Sequence, residues 1–194
     1  MAHPNEGDKR QQILKAAVTV FSRKGFHEAK VDEIAQLADV GKGTVYEYFS
    51  SKTELFQEMF KAGMEFYLDN LSKELKPKQS CREKLIRVSK LHLRFVVHYK
   101  DLARITMTEP ANISEDFRKS IFKHRAKKID LLKQIIDEGI ESGEFRKVNS
   151  YAAALTFSGS LGALFSPIIF SKDKPSYNGL IEPMLDIIFS GLLK

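Results

Sequence analysis

The amino-acid sequence predicts an all-α fold, in which a small N-terminal domain with a helix-turn-helix is joined to a larger helical domain. Apolar residues recur with helical spacing, as in the series Leu14, Ala17, Val18 and Phe21. No segment combines sustained alternation of apolar and polar residues with turn pairs, so we predict no sheet. Proline and glycine residues divide the chain into segments of helical length.

The N-terminal elements follow in order. We expect Gly25 to end the first helix, because glycine is the usual residue just beyond a helix C-terminus. Two short helices, at about 31–38 and 42–49, flank a turn at Asp39-Val40-Gly41. Ser51 to Glu54 has the form of a capping box and opens a longer helix that ends before Pro77.

Helices also dominate the remainder of the chain. We predict them at about 81–99, 101–108, 114–142, 149–169 and 178–192. We assign residues 8–55 to the first domain and residues 56–194 to the second, so the boundary falls inside a helix.

Composition is that of a soluble globular protein, with 43% hydrophobic and 29% charged residues among 194. The longest apolar run, Leu161 to Phe170, is about half the length that a membrane-spanning helix needs. Cys81 is the single cysteine, so no intrachain disulfide can form. We therefore expect a cytoplasmic protein without a membrane partner.

Charge indicates an anionic partner, because the net charge is +6 and the isoelectric point about 9.3. The excess does not lie at the helix-turn-helix, since residues 1–52 hold 8 basic and 7 acidic residues. Residues 118–133 hold seven basic residues and one acidic residue. That stretch is either a solvated helix face or a surface that attracts an anionic effector.

A helix-turn-helix requires a small residue where its helices approach, a tight turn and apolar anchors for the second helix. Ala35, Asp39, Val45 and Phe49 occupy those positions. The second helix then offers a cation, a hydroxyl, two phenols and a carboxylate to a DNA groove. This mixture can contact phosphates and base edges.

Residues 31–49, with Lys52 and Leu55 after them, resemble the TetR family of transcriptional regulators through the string Gly-Thr-Val-Tyr-Glu-Tyr-Phe. The resemblance implies double-stranded operator DNA as a partner and a regulatory function. The DNA contacts that it implies or accommodates come from Lys30, Lys42, Gly43, Thr44, Tyr46, Tyr48 and Lys52. Lys52 would hold a phosphate at the start of the next helix.

Two positions depart from the family pattern. Asp39 stands where glycine is usual, and we expect the turn to survive because aspartate tolerates a left-handed backbone. Lys30 replaces the usual serine or threonine cap of the preceding helix, at a cost of roughly 1 kcal/mol.

The resemblance further implies that the second domain binds a small-molecule effector and forms a homodimer through the last two helices. The predicted dimer interface comprises Leu155, Gly159, Gly162, Leu185 and Phe189. The predicted ligand pocket comprises His92, Phe95, Met107, Phe117 and Phe122. Both sets have an alternative interpretation as ordinary core.

Residues 109–145 loosely resemble the regulators of fatty-acid degradation within this family, especially at Glu138-Gly139-Ile140-Glu141-Ser142-Gly143-Glu144. This resemblance implies an acyl-CoA or another lipophilic anion as effector. It favours a repressor that leaves a palindromic operator when the effector binds. An effector-independent DNA-binding protein of the nucleoid type is the alternative.

Catalysis is not predicted. The sequence contains no P-loop, no GxGxxG and no HExxH, and its five histidines are scattered without metal-ligand spacing. We therefore expect no catalytic residue, no metal site and no cofactor.

Overall fold

The structure, a computed structural model, describes residues 6–75, 78–100, 114–164, 168 and 178–192. Within these residues the chain forms eight α-helices and no β-strand. The all-α prediction is therefore confirmed. The helix predicted at 101–108 lies outside the described residues.

The described residues form two compact units. The first contains residues 6–63 and 114–117, and the second contains residues 64–100, 118–164, 168 and 178–192. The division falls within helix α4 (Lys52–Glu74) and within helix α6 (Glu115–Glu141).

Three helices build the start of the first unit: α1 (Glu6–Glu28), α2 (Val31–Leu37) and α3 (Lys42–Tyr48). Gly25 has φ 76° and interrupts the helical backbone of α1, so the predicted break is confirmed. Helix α2 packs against both α1 and α3. The core of this unit is apolar and includes Ile13, Ala17, Phe21, Ile34, Ala35, Val45, Phe49, Leu55 and Phe56.

The turn between α2 and α3 has the geometry that the sequence predicts. Asp39 has φ 54°, the only positive φ of a non-glycine residue in the described part of the chain. The Val40 N–H donates to the Ala35 carbonyl at 3.0 Å and closes the turn. Aspartate thus takes the left-handed conformation that glycine would otherwise supply.

Helix α4 begins with half of the predicted capping box. The Glu54 N–H donates to Ser51 Oγ at 3.0 Å. The Glu54 carboxylate accepts from the Ser50 N–H at 2.7 Å, one residue before the cap. The reciprocal half of the prediction is therefore wrong, because the side chain of Glu54 reaches past Ser51.

The second unit contains α5 (Cys81–His98), most of α6, α7 (Ser150–Ala163) and α8 (Asn178–Leu192). Ser80 and Glu83 form a complete capping box at the start of α5. Helix α5 packs against α7 and α8. Helix α7 ends at Ala163, several residues before the predicted end at 169. The core includes Leu85, Val88, Leu132, Ile136, Phe145, Phe157, Leu161 and Phe189.

The segment 138–145 is a packing junction in this unit. A Cβ atom on Gly139 would lie 2.3 Å from the ring of Phe145, which is 1% exposed. Gly143 has φ 76° and turns the chain after α6. The Glu144 carboxylate accepts from the backbone N–H groups of Cys81 at 2.8 Å and Arg82 at 2.9 Å. It therefore caps the first turn of α5.

Glu138 completes this junction. Its carboxylate pairs with the ammonium of Lys84, whose side chain is 11% exposed. The segment that resembles fatty-acid regulators thus connects α6 to α5 through the side chains of Glu138 and Glu144.

Candidate nucleic-acid interface

Helix α3 has an anchored face and a solvent face. Val45 and Phe49 are each 1% exposed and fix the helix to the core of the first unit. Lys42, Gly43 and Glu47 are exposed, and Tyr46 is 44% exposed. The remaining two predicted contact residues, Thr44 and Tyr48, are partly buried. The anchors determine which side chains of this short helix face outward.

Gly43 is not required by packing within the described residues. A Cβ atom at this position would meet nothing within 4 Å. Glycine inside a helix costs up to about 1 kcal/mol relative to alanine. Packing within the described residues therefore does not explain a glycine at this position.

Lys42 is paired across the motif. Its Nζ lies 2.8 Å from Asp32 Oδ2, and both side chains are more than half exposed. The hydrogen bond and charge of Asp32 raise the pKa of the Lys42 ammonium. The cation is therefore held at the surface shared by α2 and α3.

Lys52 lies folded against the end of α1. Its Nζ donates to the His27 carbonyl at 3.0 Å and lies 4.7 Å from the centre of the Phe26 ring. Burial lowers the pKa of this ammonium. Sequence reasoning did not foresee either contact, because 25 residues separate the two ends of the hydrogen bond.

Lys30 precedes α2 and is exposed, and its side chain makes no capping hydrogen bond. The predicted loss of the helix cap is therefore confirmed. A second ion pair, between Lys24 Nζ and Glu33 Oε1 at 2.8 Å, ties α1 to α2 near this position. The hydrogen bond from Lys24 lowers the pKa of Glu33.

The residues of the predicted ligand pocket belong to different units of the structure. His92 and Phe95 lie together in the second unit, where the Tyr67 ring centre is 6.2 Å from that of His92 and 5.2 Å from that of Phe95. Burial, with a smaller effect of Lys128, lowers the pKa of His92 to about 3. The Tyr67 hydroxyl is buried and has no hydrogen-bond partner in the described part of the chain.

Two further pocket assignments stay predictions, and their residues differ in burial. Phe117 is fully buried in the first unit, with its ring centre 5.6 Å from that of Phe60. Phe122 is 66% exposed. The first turns of α6 expose the face that becomes buried further along at Ile129 and Ile136. Met107 lies outside the described residues.

The basic side chains of the stretch 118–133 differ in exposure to solvent. Five of its cations are exposed: Arg118, Lys119, Lys123, Arg125 and Lys127. Lys128, by contrast, is largely buried, and burial lowers its pKa to about 8. A solvated face therefore describes most of the stretch, and Lys128 is the residue that this interpretation missed.

The predicted dimer interface needs correction at two positions. Leu185 and Phe189 are 5% and 1% exposed and belong to the core of the second unit. Leu155 and Gly159 are exposed, and Gly162 is partly buried. The outward apolar side chains of α7 and α8 that the sequence did not single out are Tyr151, Leu180 and Ile187. Apolar character alone could not separate a core face from an outer face.

The described residues offer neither a metal site nor a membrane-spanning helix. No group of three or more potential metal ligands comes together in the described ranges. None of the helices there is long and apolar enough to cross a bilayer.

Comparison with known families decides the classification. Residues 13–59 match the family model of bacterial regulatory proteins of the tetR family. Residues 78–166 match the model of the tetracyclin repressor-like C-terminal domain. The two models together cover more than half of the chain. The chain belongs to the TetR family. It is therefore a transcriptional regulator, as the sequence predicted, and its matched relatives are regulators rather than enzymes.

Three matches to fatty-acid regulators extend along nearly the whole chain. The fatty acid metabolism regulator protein of Bacillus subtilis is 28% identical over 185 residues, covering 95% of each chain. The structure of FadR from B. subtilis in complex with stearoyl-CoA has a TM-score of 0.73 at 27% identity, covering 93% of this chain and 98% of that one. The structure of FadR from Bacillus halodurans has a TM-score of 0.72 at 25% identity and covers 97% and 96%.

Proposed function

We propose that this TetR-family regulator is a repressor that binds a palindromic operator as a homodimer and leaves it when a lipophilic or anionic effector, such as an acyl-CoA, binds. Residues 8–55 would form the DNA-binding domain, and residues 56–194 the effector-binding and dimerisation domain. The observation that carries the proposal is the solvent face of α3, on which Lys42, Gly43 and Tyr46 stand above two buried anchors.

The side chains of that face match the chemistry of a DNA groove. Lysine and tyrosine donate to phosphate oxygens, and tyrosine and threonine also contact base edges. Thr44, Tyr46 and Tyr48 would make the specific contacts. Gly43 would let the backbone of α3 approach the DNA, because no side chain stands between them.

Lys42 and Lys52 would exchange partners on binding. In the free protein their ammonium groups contact Asp32 and the His27 carbonyl. A phosphate can replace either acceptor. For Lys52 the charged phosphate makes a stronger hydrogen bond than the neutral His27 carbonyl does. Lys30 would add a third phosphate contact from the start of α2. Each such contact should steepen the salt dependence of operator binding by about one unit of log affinity per log salt.

Dimerisation is supported by apolar side chains that point outward from α7 and α8. Leu155, Leu180 and Ile187 are 41%, 44% and 73% exposed. An added Cβ on Gly159 would meet nothing within 4 Å, so a partner helix could approach α7 closely there. Exposed apolar residues grouped on two helices are typical of an interface. Ile187→Glu should therefore convert a dimer into monomers in sedimentation velocity.

The effector class rests on the relatives. A protein 28% identical over nearly the whole chain is named a fatty acid metabolism regulator, and a similar structure contains stearoyl-CoA. The net charge of +6 favours an anionic effector in this chain as well. Helix α4 contributes residues to both units, so a ligand-induced shift of this helix is a route to the DNA-binding helices.

Operator selection with the purified protein, followed by anisotropy titrations, tests the DNA-binding proposal. The selected palindrome should bind about 10³-fold more tightly than bulk DNA, whereas a nucleoid-type protein would show no such preference. Tyr46→Ala should lose at least about tenfold in affinity for the selected site. Lys147→Ala, an exposed substitution on the second unit, is the control. Wild-type affinity in Tyr46→Ala would contradict the assignment of α3.

The effector proposal has a separate test. Palmitoyl-CoA at micromolar concentration should release the preformed operator complex. Failure of acyl-CoA thioesters of every chain length to do so would remove this effector class, while the operator assignment would stand.

A further inference from the structure

Helix α5 carries three cations beside a groove with a volume of about 450 Å³. Arg87, Lys90 and Arg94 line this α5 groove and are exposed. Their spacing of three and four residues places them on one helix face. At 1.5 Å per residue they extend over roughly 10 Å of the helix axis. The arrangement is a short cationic row along one wall of a groove.

Two of these cations are unpaired within the described residues. Lys90 and Arg94 make no ion pair with any residue in those ranges. Among the described residues that line the groove, Glu83 is the one acidic residue, and its carboxylate accepts from the Ser80 N–H at 3.1 Å in the capping box. Because Glu83 is committed to the helix cap, the groove keeps an excess of positive charge. Its complement is an anion that spans several ångströms.

A neighbouring groove differs from the α5 groove in the charges that line it. It measures about 600 Å³ and shares Ile86 and Lys90 with the first, but Glu182 and Asp186 also line it. The Arg82 guanidinium in that groove lies 5.0 Å from the centre of the Phe189 ring. The two carboxylates repel a polyanion, so a multiply charged ligand is favoured in the α5 groove over this one.

The α5 groove also has an apolar component. Ile86 and Leu91 are half-buried and line it between and beside the cations. Its volume lies in the range of small-molecule sites, about 300–1,000 Å³. Inorganic phosphate would leave these apolar side chains without a contact. A polyphosphate attached to an organic body would use both components.

We propose that the α5 groove binds an organic polyphosphate of the nucleotide type and holds the phosphate-bearing head of the effector. This inference rests on the proposed effector response and names the part of the protein that recognises the charged end of the ligand. Lys90 and Arg94 are the principal phosphate ligands, with Arg87 at the same face. Ile86 and Leu91 contact the uncharged part of the head group.

Calorimetric titration of the full chain tests this assignment with four probes: coenzyme A, ATP, palmitoyl-CoA and palmitate. In Lys90→Glu/Arg94→Glu, affinity for coenzyme A and palmitoyl-CoA should fall at least about tenfold, because carboxylates then face the phosphates. Palmitate lacks phosphate, so its affinity should stay unchanged. Lys123→Glu/Lys147→Glu makes the same change of charge at exposed sites of the same unit and should bind within about twofold of wild type.

The two nucleotide probes distinguish the source of the phosphate. Equal binding of ATP and coenzyme A identifies a general polyphosphate site, and preference for coenzyme A identifies a site for its thioesters. Thermal unfolding of Lys90→Gln/Arg94→Gln, which should also bind weakly, verifies that loss of binding is not loss of folding.

Two results would overturn the inference. One is the absence of coenzyme A and ATP binding to the wild-type protein at millimolar concentration. The other is a groove variant that binds like its matched control. If palmitoyl-CoA releases the operator from wild type and from the groove variant equally, the proposed effector response stands and this site is wrong. If palmitoyl-CoA binds the groove and no acyl-CoA thioester releases DNA, the effector proposal fails and the site stands.

Discussion

Two short glycine-containing segments resemble relatives in sequence, and the structure uses them in opposite ways. In α3 the segment 42–49 presents Lys42, Gly43 and Tyr46 to solvent. In the segment 138–145, Gly139 packs against Phe145 of the same segment, and Glu138 and Glu144 contact helix α5. A shared sequence pattern can therefore indicate either a surface that acts on a partner or a junction that holds helices together.

Their glycines make the contrast measurable. A Cβ on Gly43 meets nothing within 4 Å, whereas a Cβ on Gly139 would lie 2.3 Å from the Phe145 ring. The same substitution should therefore have opposite consequences at the two sites. The packing of the segment 138–145 also weakens the inference that its resemblance to fatty-acid regulators reflects a direct contact with a ligand.

The largest expected effect is that of Gly139→Ala. The new methyl group displaces the buried ring of Phe145, and such overpacking should lower the free energy of unfolding by about 3 kcal/mol. Urea denaturation followed by circular dichroism measures it. Stability equal to that of wild type would show that the junction can relax and would remove the contrast.

Glu138→Gln should have the next largest effect. It leaves the buried ammonium of Lys84 without its carboxylate, which should cost about 1 to 2 kcal/mol. Lys84→Met removes the charge instead and should be close to neutral, because an apolar side chain suits that site. Equal destabilisation by both variants would mean that the hydrocarbon contacts of Lys84 matter and its charge does not.

Glu144→Gln weakens the cap of α5. The amide retains one acceptor for the Cys81 and Arg82 N–H groups but loses the negative charge, so stability should fall by about 1 kcal/mol. Burial raises the pKa of the Cys81 thiol, and the charge of Glu144 adds to that effect. The variant should therefore also titrate Cys81 at lower pH. An unchanged thiol titration together with unchanged stability would exclude the capping role.

A smaller, pH-dependent effect on stability is expected at Glu54, in the first turn of α4. Hydrogen bonds from the Ser50 hydroxyl and N–H lower the pKa of Glu54 below 4.5. The ionised carboxylate of Glu54 therefore stabilises the folded protein fully above pH 4.5, and this stabilisation disappears as the pH falls through the lowered pKa. Because Glu54 is exposed, it amounts to less than about 1 kcal/mol.

Urea denaturation at two pH values tests this. Glu54→Gln should be less stable than wild type at pH 7 and equal to it near pH 3. Glu47→Gln, on the exposed face of α3, should match wild type at both. A constant difference between Glu54→Gln and wild type would contradict the pH dependence.

Local patterns explain how much of the molecule the sequence could predict. The spacing of Val45 and Phe49 placed both anchors on one helix face, and Asp39 has the predicted left-handed backbone. These features depend on neighbours within one or two turns of helix. The break at Gly25 is of the same kind.

Contacts between distant segments could not be predicted. Glu144 caps a helix 62 and 63 residues earlier, and Lys52 contacts a carbonyl 25 residues away. Phe122 shares a helix face with Ile129, yet one is exposed and the other buried, because burial changes along α6. Leu185 and Phe189 had the composition of an interface and are core. Periodicity shows that a face is apolar but does not identify what covers it.

Gly43→Ala should have the smallest effect on folding and is the most direct test of the central claim that α3 binds operator DNA. Alanine is the better helix former, so the free energy of unfolding should stay equal or rise by up to about 1 kcal/mol. Operator affinity, measured by anisotropy with the selected site at fixed salt, should fall at least about tenfold, because the methyl group stands where the DNA approaches. Wild-type operator affinity in a stable Gly43→Ala protein would contradict the claim that this face of α3 contacts DNA.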